Sequence, residues 1–305
     1  MPRGGLRPGA GRPSGSGRFG ERATQLWIPE SLRSQIDDLL VQHAVRAAER
    51  RRTPTVDPYD LILPLPGQVR LDGPIDAMEQ LMRLHAAQMR AAVVVLDPHY
   101  RKSSPKGRAD YLAEMLPLIS LAGEIADHVI VWGFPLAVAR LVDHQPQHLE
   151  VEGWISWIYR NSANRARSWR GAQQVALHLR RPRAKLHYEA FLTEEHREMH
   201  SRGKLAYLMT HRDIIQTVIE EPLLSGFIRR SEQTGFKGGQ KPVSVITPIL
   251  QMTTQPGDLV IDPTAGSGTT GEAAAQLGCS AILSDRAASS LRIAKRRLAP
   301  YLTNA

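Results

Sequence analysis

The sequence predicts an α/β fold on a doubly wound, mostly parallel sheet, with a small N-terminal extension. Three observations predict it. First, Leu259–Ile261 is a short apolar run closed by Asp262-Pro263. Gly266, Gly268 and Gly271 follow at G-x-G-x-x-G spacing, and then a helix-forming stretch begins, Glu272–Leu277. Strand, glycine turn and helix in that order bring backbone N–H groups close to a ligand at a helix N-terminus. Second, Val93–Leu96 reads as a buried strand and ends in the polar Asp97-Pro98-His99-Tyr100. Polar groups at the C-terminal ends of parallel strands face the crevice where α/β ligands bind. Third, short apolar runs alternate with helical patterns between these two points, as βα units require.

The 305 residues are enough for one large domain or two smaller ones. A hydrophobic content of 42% and a charged content of 23% place the bulk of the chain among soluble globular proteins. The net charge of +9 favours a polyanionic partner. One cysteine, Cys279, excludes a disulfide framework and a cysteine-based zinc site, and fits a reducing cytoplasm. No apolar run reaches the roughly 18 residues of a membrane span, and the basic N-terminus lacks the apolar core of a secretory signal.

Residues 1–23 are rich in Gly, Arg, Pro and Ser and cannot build a core, so a disordered basic arm is expected. Its Gly11-Arg12-Pro13 resembles an AT-hook, a narrow arm for the DNA minor groove. Residues 24–60 form a second small segment. Thr24–Pro29 reads as a short strand, and Ser31 as the N-cap of a helix with apolar positions at Leu32, Ile36, Leu39 and Leu40. Such a start looks like a ribbon-helix-helix module, which contacts DNA and forms a homodimer through its strand. Residues 61–305 are the main domain. Expected there are a strand at Val69–Leu71, a helix at Ile75–Ala91, the strand Val93–Leu96 and a helix at Tyr111–Ala126. A strand at His128–Trp132 and a helix at Pro135–Asp143 follow. Two further strands, Trp154–Tyr159 and Gln174–Leu179, flank a basic loop, Arg160–Gly171, that holds Arg160, Arg165, Arg167 and Arg170. From Arg160 to Lys204 there are eleven Lys/Arg against four Asp/Glu, with Trp169, Tyr188 and Phe191 among them. A basic tract with interleaved aromatics suits a nucleic-acid groove. Residues 205–236 read as irregular. Pro242–Thr253 is a helix leading to the glycine motif, and Ala281–Leu283 is a strand ending in Ser284-Asp285.

Asp285 lies 19 residues after Gly266, where an acid can hold a ribose hydroxyl. Alone, the glycine motif would serve a dinucleotide equally well. Only 34 residues follow Gly271, however, so the remaining strands must precede residue 257, and the chemistry is expected in the N-terminal half. Asp97-Pro98-His99-Tyr100 suits chemistry on a planar exocyclic amine. The Asp97 carboxylate can accept one N–H and the Pro98 carbonyl the other, which draws the nitrogen lone pair out of conjugation. Tyr100 offers a flat face for an extruded base, and such extrusion is needed because the target atom is out of reach inside a duplex.

These residues resemble a known family. Asp97–Tyr100 is similar to motif IV of the DNA amino-methyltransferases, usually Asp-Pro-Pro-Tyr. Asp262–Gly271 resembles their motif I, usually Asp-Pro-Phe-Ala-Gly-Ser-Gly. Gln240-Lys241-Pro242 matches the Gln-Lys-Pro of motif X. The catalytic motif comes first and the cofactor motif last, as in the β class, the DNA methylase N-4/N-6 family. The resemblance implies the S-adenosylmethionine-dependent methyltransferase fold with permuted motif order and S-adenosylmethionine as methyl donor. It implies that Asp262, Gly266 and Gly268, with Pro263 and Ala265 in the same loop, hold the methionine end. Asp285 would hold the ribose, and Lys241 with Pro242 would close the other side. Asp97, Pro98 and Tyr100 would bind the target amine, with residues of about 180–236 recognising double-stranded DNA. Asp at the first motif IV position leans towards adenine N6 over cytosine N4. Departures are His99 for a second proline, Lys237-Gly238-Gly239 for His-Pro-Thr, and Thr264 for Phe, the last removing an apolar wall from the cofactor pocket.

Other readings are weaker. His196 and His200 have a metal-ligand spacing, but no His-Glu-x-x-His order or acidic cluster accompanies them, so no metal is expected. Cys279 is not in a Pro-Cys strand end, which excludes cysteine-dependent methylation at cytosine carbon 5. No Gly-Lys-Ser/Thr follows the glycines, against nucleotide hydrolysis. A DNA-binding regulator with a decayed methylase domain, and a methylase acting on RNA or a protein side chain, are the alternatives of other kinds.

Overall fold

Eight strands of the chain join one sheet in the computed structural model, which describes residues 63–98, 105–162, 171–203, 217–236 and 239–303. The basic arm, the strand–helix segment after it, His99, Tyr100, Arg165, Arg167 and Arg170 lie outside the described residues, as does Arg12. The strands are β1 (Val69–Asp72), β2 (Ala91–Leu96), β3 (Ala126–Gly133), β4 (Glu150–Ile158), β5 (Gln173–Arg180), β6 (Val218–Glu220), β7 (Leu259–Asp262) and β8 (Ser280–Ser284). The described helices are α1 (Ala77–Ala86), α2 (Pro105–Ile125), α3 (Pro135–Val142), α4 (Glu194–Ser201), α5 (Val243–Thr253), α6 (Thr269–Gln276) and α7 (Ala288–Arg297).

The strand order is β1-β8-β7-β2-β3-β5-β4-β6. Every neighbouring pair is parallel except the two that β5 makes, with β3 and with β4. The central strands alternate between two cores, as a sheet covered on both faces must. Val94, Leu96, Val129, Val131 and Ile261 pack towards α1, α2 and α3. Val93, Val95, Ile130, Trp132 and Val260 pack towards α5, α6 and α7. From β7 the chain crosses to β8 on one side. From β2 it crosses to β3 on the other. Strand order therefore reverses between β7 and β2, and the C-terminal ends of those two strands open the crevice.

Most expected elements are present, with shifted ends. The helix expected from Ile75 starts at Ala77, because the Asp76 side chain caps it by accepting from the Met78 N–H at 3.0 Å. It ends at Ala86, and Gln88 adopts a left-handed φ of 55° that turns the chain into β2. The helix expected at Tyr111 begins earlier, at Pro105. Residues 205–236, read as irregular, contain the edge strand β6, whose three residues are too few to show a period. Helix α7 is an element that the sequence pattern does not announce. Among the described residues no helix is long and apolar enough to cross a membrane.

Candidate functional site

Asp97 follows β2 directly, and Asp262 is the last residue of β7, so the two carboxylates stand at neighbouring strand ends at the reversal point. The ladder between the strands covers only Val93↔Val260 and Val94↔Ile261. Beyond it, side chains hold the strand ends together. The Thr264 hydroxyl accepts from the Asp97 backbone N–H at 2.7 Å and donates to Asp262 Oδ1 at 2.9 Å. The Thr264 N–H donates to the same oxygen at 2.8 Å. The sequence implies only that Thr264 removes an apolar wall; it also supplies a polar tie.

Lys241 takes the other side of Asp97. Its ammonium donates to Asp97 Oδ2 and lies 4.8 Å from the centre of the Trp132 ring. Trp132 stands near the end of β3, whose Val131 is in register with Leu96. The amine is buried and therefore needs both the carboxylate and the ring. Lys241 is expected at the cofactor, and its ammonium reaches the Asp97 carboxylate.

The rest of Gln-Lys-Pro has a structural logic. The Gln240 side chain accepts from the Thr234 N–H at 3.0 Å and donates to the Glu232 carbonyl at 2.7 Å, bracing the segment before it. Pro242 is the N-cap of α5, and the Glu232 carboxylate accepts the Val243 N–H at 2.7 Å. The Thr269 hydroxyl, in the first turn of α6, donates to the Lys241 carbonyl at 3.0 Å.

The glycine loop runs from Pro263 to Gly268, with Pro263 and Ala265 buried. Gly268 is the N-cap of α6 at φ +82°, a left-handed conformation that glycine adopts without strain. The Gly266 N–H donates to Asp285 Oδ2 at 3.0 Å, and Asp285 Oδ1 accepts from the Ala287 N–H at 2.7 Å. The acid expected at a ribose thus also locks the turn of the glycine loop. The Phe236 ring stands against Gly266, 3.2 Å from where a β-carbon would be.

Asp262 is buried. Burial pushes its carboxyl up to about 6, the bonds from Thr270 and Thr264 offset part of that, and the Asp97 charge nearby adds to it. Burial also raises the phenol of Tyr111, again with the Asp97 charge in support, and its hydroxyl donates to the Trp132 carbonyl at 3.2 Å.

Behind the loop lies a residue that sequence reasoning missed. The side chain of Arg297, at the end of α7, is buried. It pairs with Glu272 and donates to the Thr269 hydroxyl at 2.9 Å, and its other nitrogen lies 3.4 Å from Glu232. One guanidinium thereby ties α6, α7 and the segment before α5 together. The sequence pattern does not announce α7, so the run Lys295-Arg296-Arg297 gives no signal of a buried arginine. Phe236 carries no signal either. Of the arginines expected at DNA, Arg160 is described. It is exposed at the end of β4 and bonds Glu220 at 2.7 Å. His196 lies in α4, and no group of three metal-ligating side chains forms among the described residues.

A family model described as DNA methylase, of the N6/N4 methyltransferase type, matches residues 88–296. The chain belongs to the N6/N4 DNA methylase family. Solved structures agree with the fold of this methylase. M1.HpyAVI in complex with S-adenosylmethionine matches with a TM-score of 0.56 at 21% identity, covering 75% of this chain and 98% of that one. The cytosine-N4-specific PvuII DNA methyltransferase matches with a TM-score of 0.55 at 14% identity, covering 79% and 90%. TTHA0409 of Thermus thermophilus, complexed with S-adenosyl-L-methionine, matches with a TM-score of 0.51 at 16% identity, covering 78% and 95%.

The methylase is an S-adenosylmethionine-dependent DNA amino-methyltransferase. The residues at the crevice fit that cofactor. A buried carboxylate, Asp262, complements an α-ammonium, and the N-terminus of α6 complements a carboxylate.

Proposed function

We propose that this methylase transfers a methyl group to the N6 amine of adenine in double-stranded DNA, after flipping the base out of the duplex. The observation that carries the reading is the junction of Asp97 with the glycine loop, where the Thr264 hydroxyl bonds both Asp97 and Asp262. S-adenosylmethionine supplies an electrophilic methyl group on its sulfonium. Asp262 would hold the ammonium end of the cofactor, the glycine loop would take its carboxylate, and Asp285 would hold the ribose. The Asp97 carboxylate and the Pro98 carbonyl each accept one N–H of the target amine. The nitrogen lone pair leaves conjugation and becomes nucleophilic. As the methyl–sulfur bond breaks the sulfonium would leave as a neutral thioether, and the alkylated amine is acidic enough to give its proton to the Asp97 carboxylate or to water, so no strong base is needed. The Lys241 ammonium orients the Asp97 carboxylate by its Oδ2. Tyr100 supplies the stacking face, and Arg160, Arg165, Arg167, Arg170 and the arm at Arg12 supply phosphate and groove contacts. The segment of residues 24–60 is the proposed site of dimerisation. Cytosine N4 is the second reading, since the acceptor pair serves either amine.

Labelled S-adenosylmethionine, unmethylated DNA and the wild type or Asp97→Ala would be incubated, and the nucleosides digested and separated. The expected result is label on N6-methyladenine, reduced by about a hundredfold or more in the variant. Label on N4-methylcytosine would transfer the proposal to the other base. Tight DNA binding with no methyl transfer would sink the enzyme reading and favour a DNA-binding regulator.

A further inference from the structure

Thr264 stands where the family pattern has Phe, and a hydroxyl at that position does something a phenyl ring cannot. A hydroxyl carries one proton. The Asp97 N–H has no choice but to donate, so it uses a lone pair of Thr264 Oγ1 at 2.7 Å. The hydroxyl proton is then directed to Asp262 Oδ1 at 2.9 Å, and the Thr264 N–H reaches the same oxygen at 2.8 Å. The donors run in one direction: Asp97 N–H to Thr264, and Thr264 to the Asp262 carboxylate. The β2–β7 ladder has ended at Val94 and Ile261, so this chain of bonds continues the contact between the two strand ends past the last ladder pair.

We infer that Thr264 is a positioning residue that couples the charge on Asp262 to the placement of the Asp97-Pro98 turn. This deepens the methyl-transfer reading and rests on it. An ionised Asp262 fixes the hydroxyl proton on itself and turns an oxygen lone pair towards Asp97. A cation held at Asp262 keeps that carboxylate ionised, so cofactor binding sets the turn that receives the target amine. In this chain the cofactor loop and the amine-binding turn share one hydroxyl.

Thr264→Val removes both side-chain bonds at nearly constant volume, and Thr264→Ser keeps them. Two quantities would be measured for each and for the wild type. One is binding of S-adenosylhomocysteine, which carries the same ammonium and has no methyl group to transfer, by calorimetry from pH 5 to pH 8. The other is steady-state methyl transfer to DNA. For Thr264→Val the expected fall in kcat is about tenfold or more, the usual effect of losing a hydrogen bond to a charged group, with the KM for DNA little changed. The pH at which S-adenosylhomocysteine binding is half lost should move upward. Thr264→Ser should restore both. Wild-type kcat in Thr264→Val, an unmoved pH limb, or a serine variant that melts normally yet behaves like the valine variant would each overturn the coupling. If the wild type binds S-adenosylhomocysteine and transfers no methyl to DNA, the methyl-transfer reading fails. The binding limb of Thr264→Val then decides the coupling alone.

Discussion

Asp262 is costly to the free protein as a buried charge, and on the proposed reading a bound ammonium would offset that cost. Its burial raises the carboxyl from 3.8 to about 6, so the folded protein binds a proton there more readily than the unfolded chain does. Stability contributed by that proton is present at low pH and is lost as pH rises from about 4 to 6. Above pH 6 the ionised group is a net burden without a cation beside it. Asp262→Asn retains a side-chain oxygen to accept from Thr264 and removes the charge. Its free form should gain up to about 2 kcal/mol at pH 7.5, read by thermal or denaturant unfolding, while S-adenosylhomocysteine binding by calorimetry is lost. In the wild type the same binding should weaken as pH falls through about 6, because protonation removes the attraction for an ammonium. Asp97, Asp262 and Lys241 are visible in the sequence as members of short motifs. The partner of Lys241 is not, since Asp97 lies 144 positions away and nothing local announces the pairing. Phe236 and Arg297 are hidden for the same reason: their roles exist only where distant segments meet.

Elements are more legible than contacts. Strands buried on both faces are unbroken apolar runs, and Val93–Leu96, His128–Trp132 and Leu259–Ile261 need no partner to be noticed. Strand β6 is lost because its three residues, Val218 to Glu220, have too little length for a pattern. Helix α6 packs against β8, and Gly271 lies at the contact with the Leu283 side chain. A β-carbon there would meet Leu283 Cδ1 at 2.4 Å and Leu298 Cδ2 at 3.3 Å. Alanine would favour the helix by roughly 1 kcal/mol, but overpacking a buried site costs about 1–3 kcal/mol. Gly271→Ala is therefore expected to lose about 1 kcal/mol in urea unfolding, and larger residues more. The third glycine of the motif thus acts on helix–strand packing, Gly268 lets α6 approach Ala294 and Leu298, and Gly266 leaves room for the Phe236 ring.

At the scale of the molecule, the single reversed strand carries a buried polar pair. His128 on β3 and His178 on β5 meet at 3.0 Å, and His128 Nε2 donates to the Lys185 carbonyl at 3.0 Å. A carbonyl only accepts, so the His128 proton is on Nε2, and its Nδ1 accepts from His178 Nε2. The two rings cannot both be charged and keep these bonds, because two imidazoliums would set one N–H against the other. Burial lowers both; on His178, brought to about 3, the facing His128 and Arg180 add to the effect. The unfolded chain then binds more protons below about pH 6.5, and stability falls from there towards pH 3. The wild-type melting temperature should drop between about pH 7 and pH 5, and the double variant His128→Leu/His178→Leu should show a flatter profile. The order of strands in space also differs from their order in the chain, with a consequence for synthesis. β2 borders β7 in the sheet, yet 162 residues lie between Leu96 and Leu259. At about 5–20 residues per second, β7 leaves the ribosome roughly 10–30 s after β2. Through that interval one edge of β2, made of Ala91 to Leu96, has no neighbour on that side, and β1 waits for β8. The nascent chain thus presents an apolar open edge that invites pairing with other chains until β7 and β8 are made and close it.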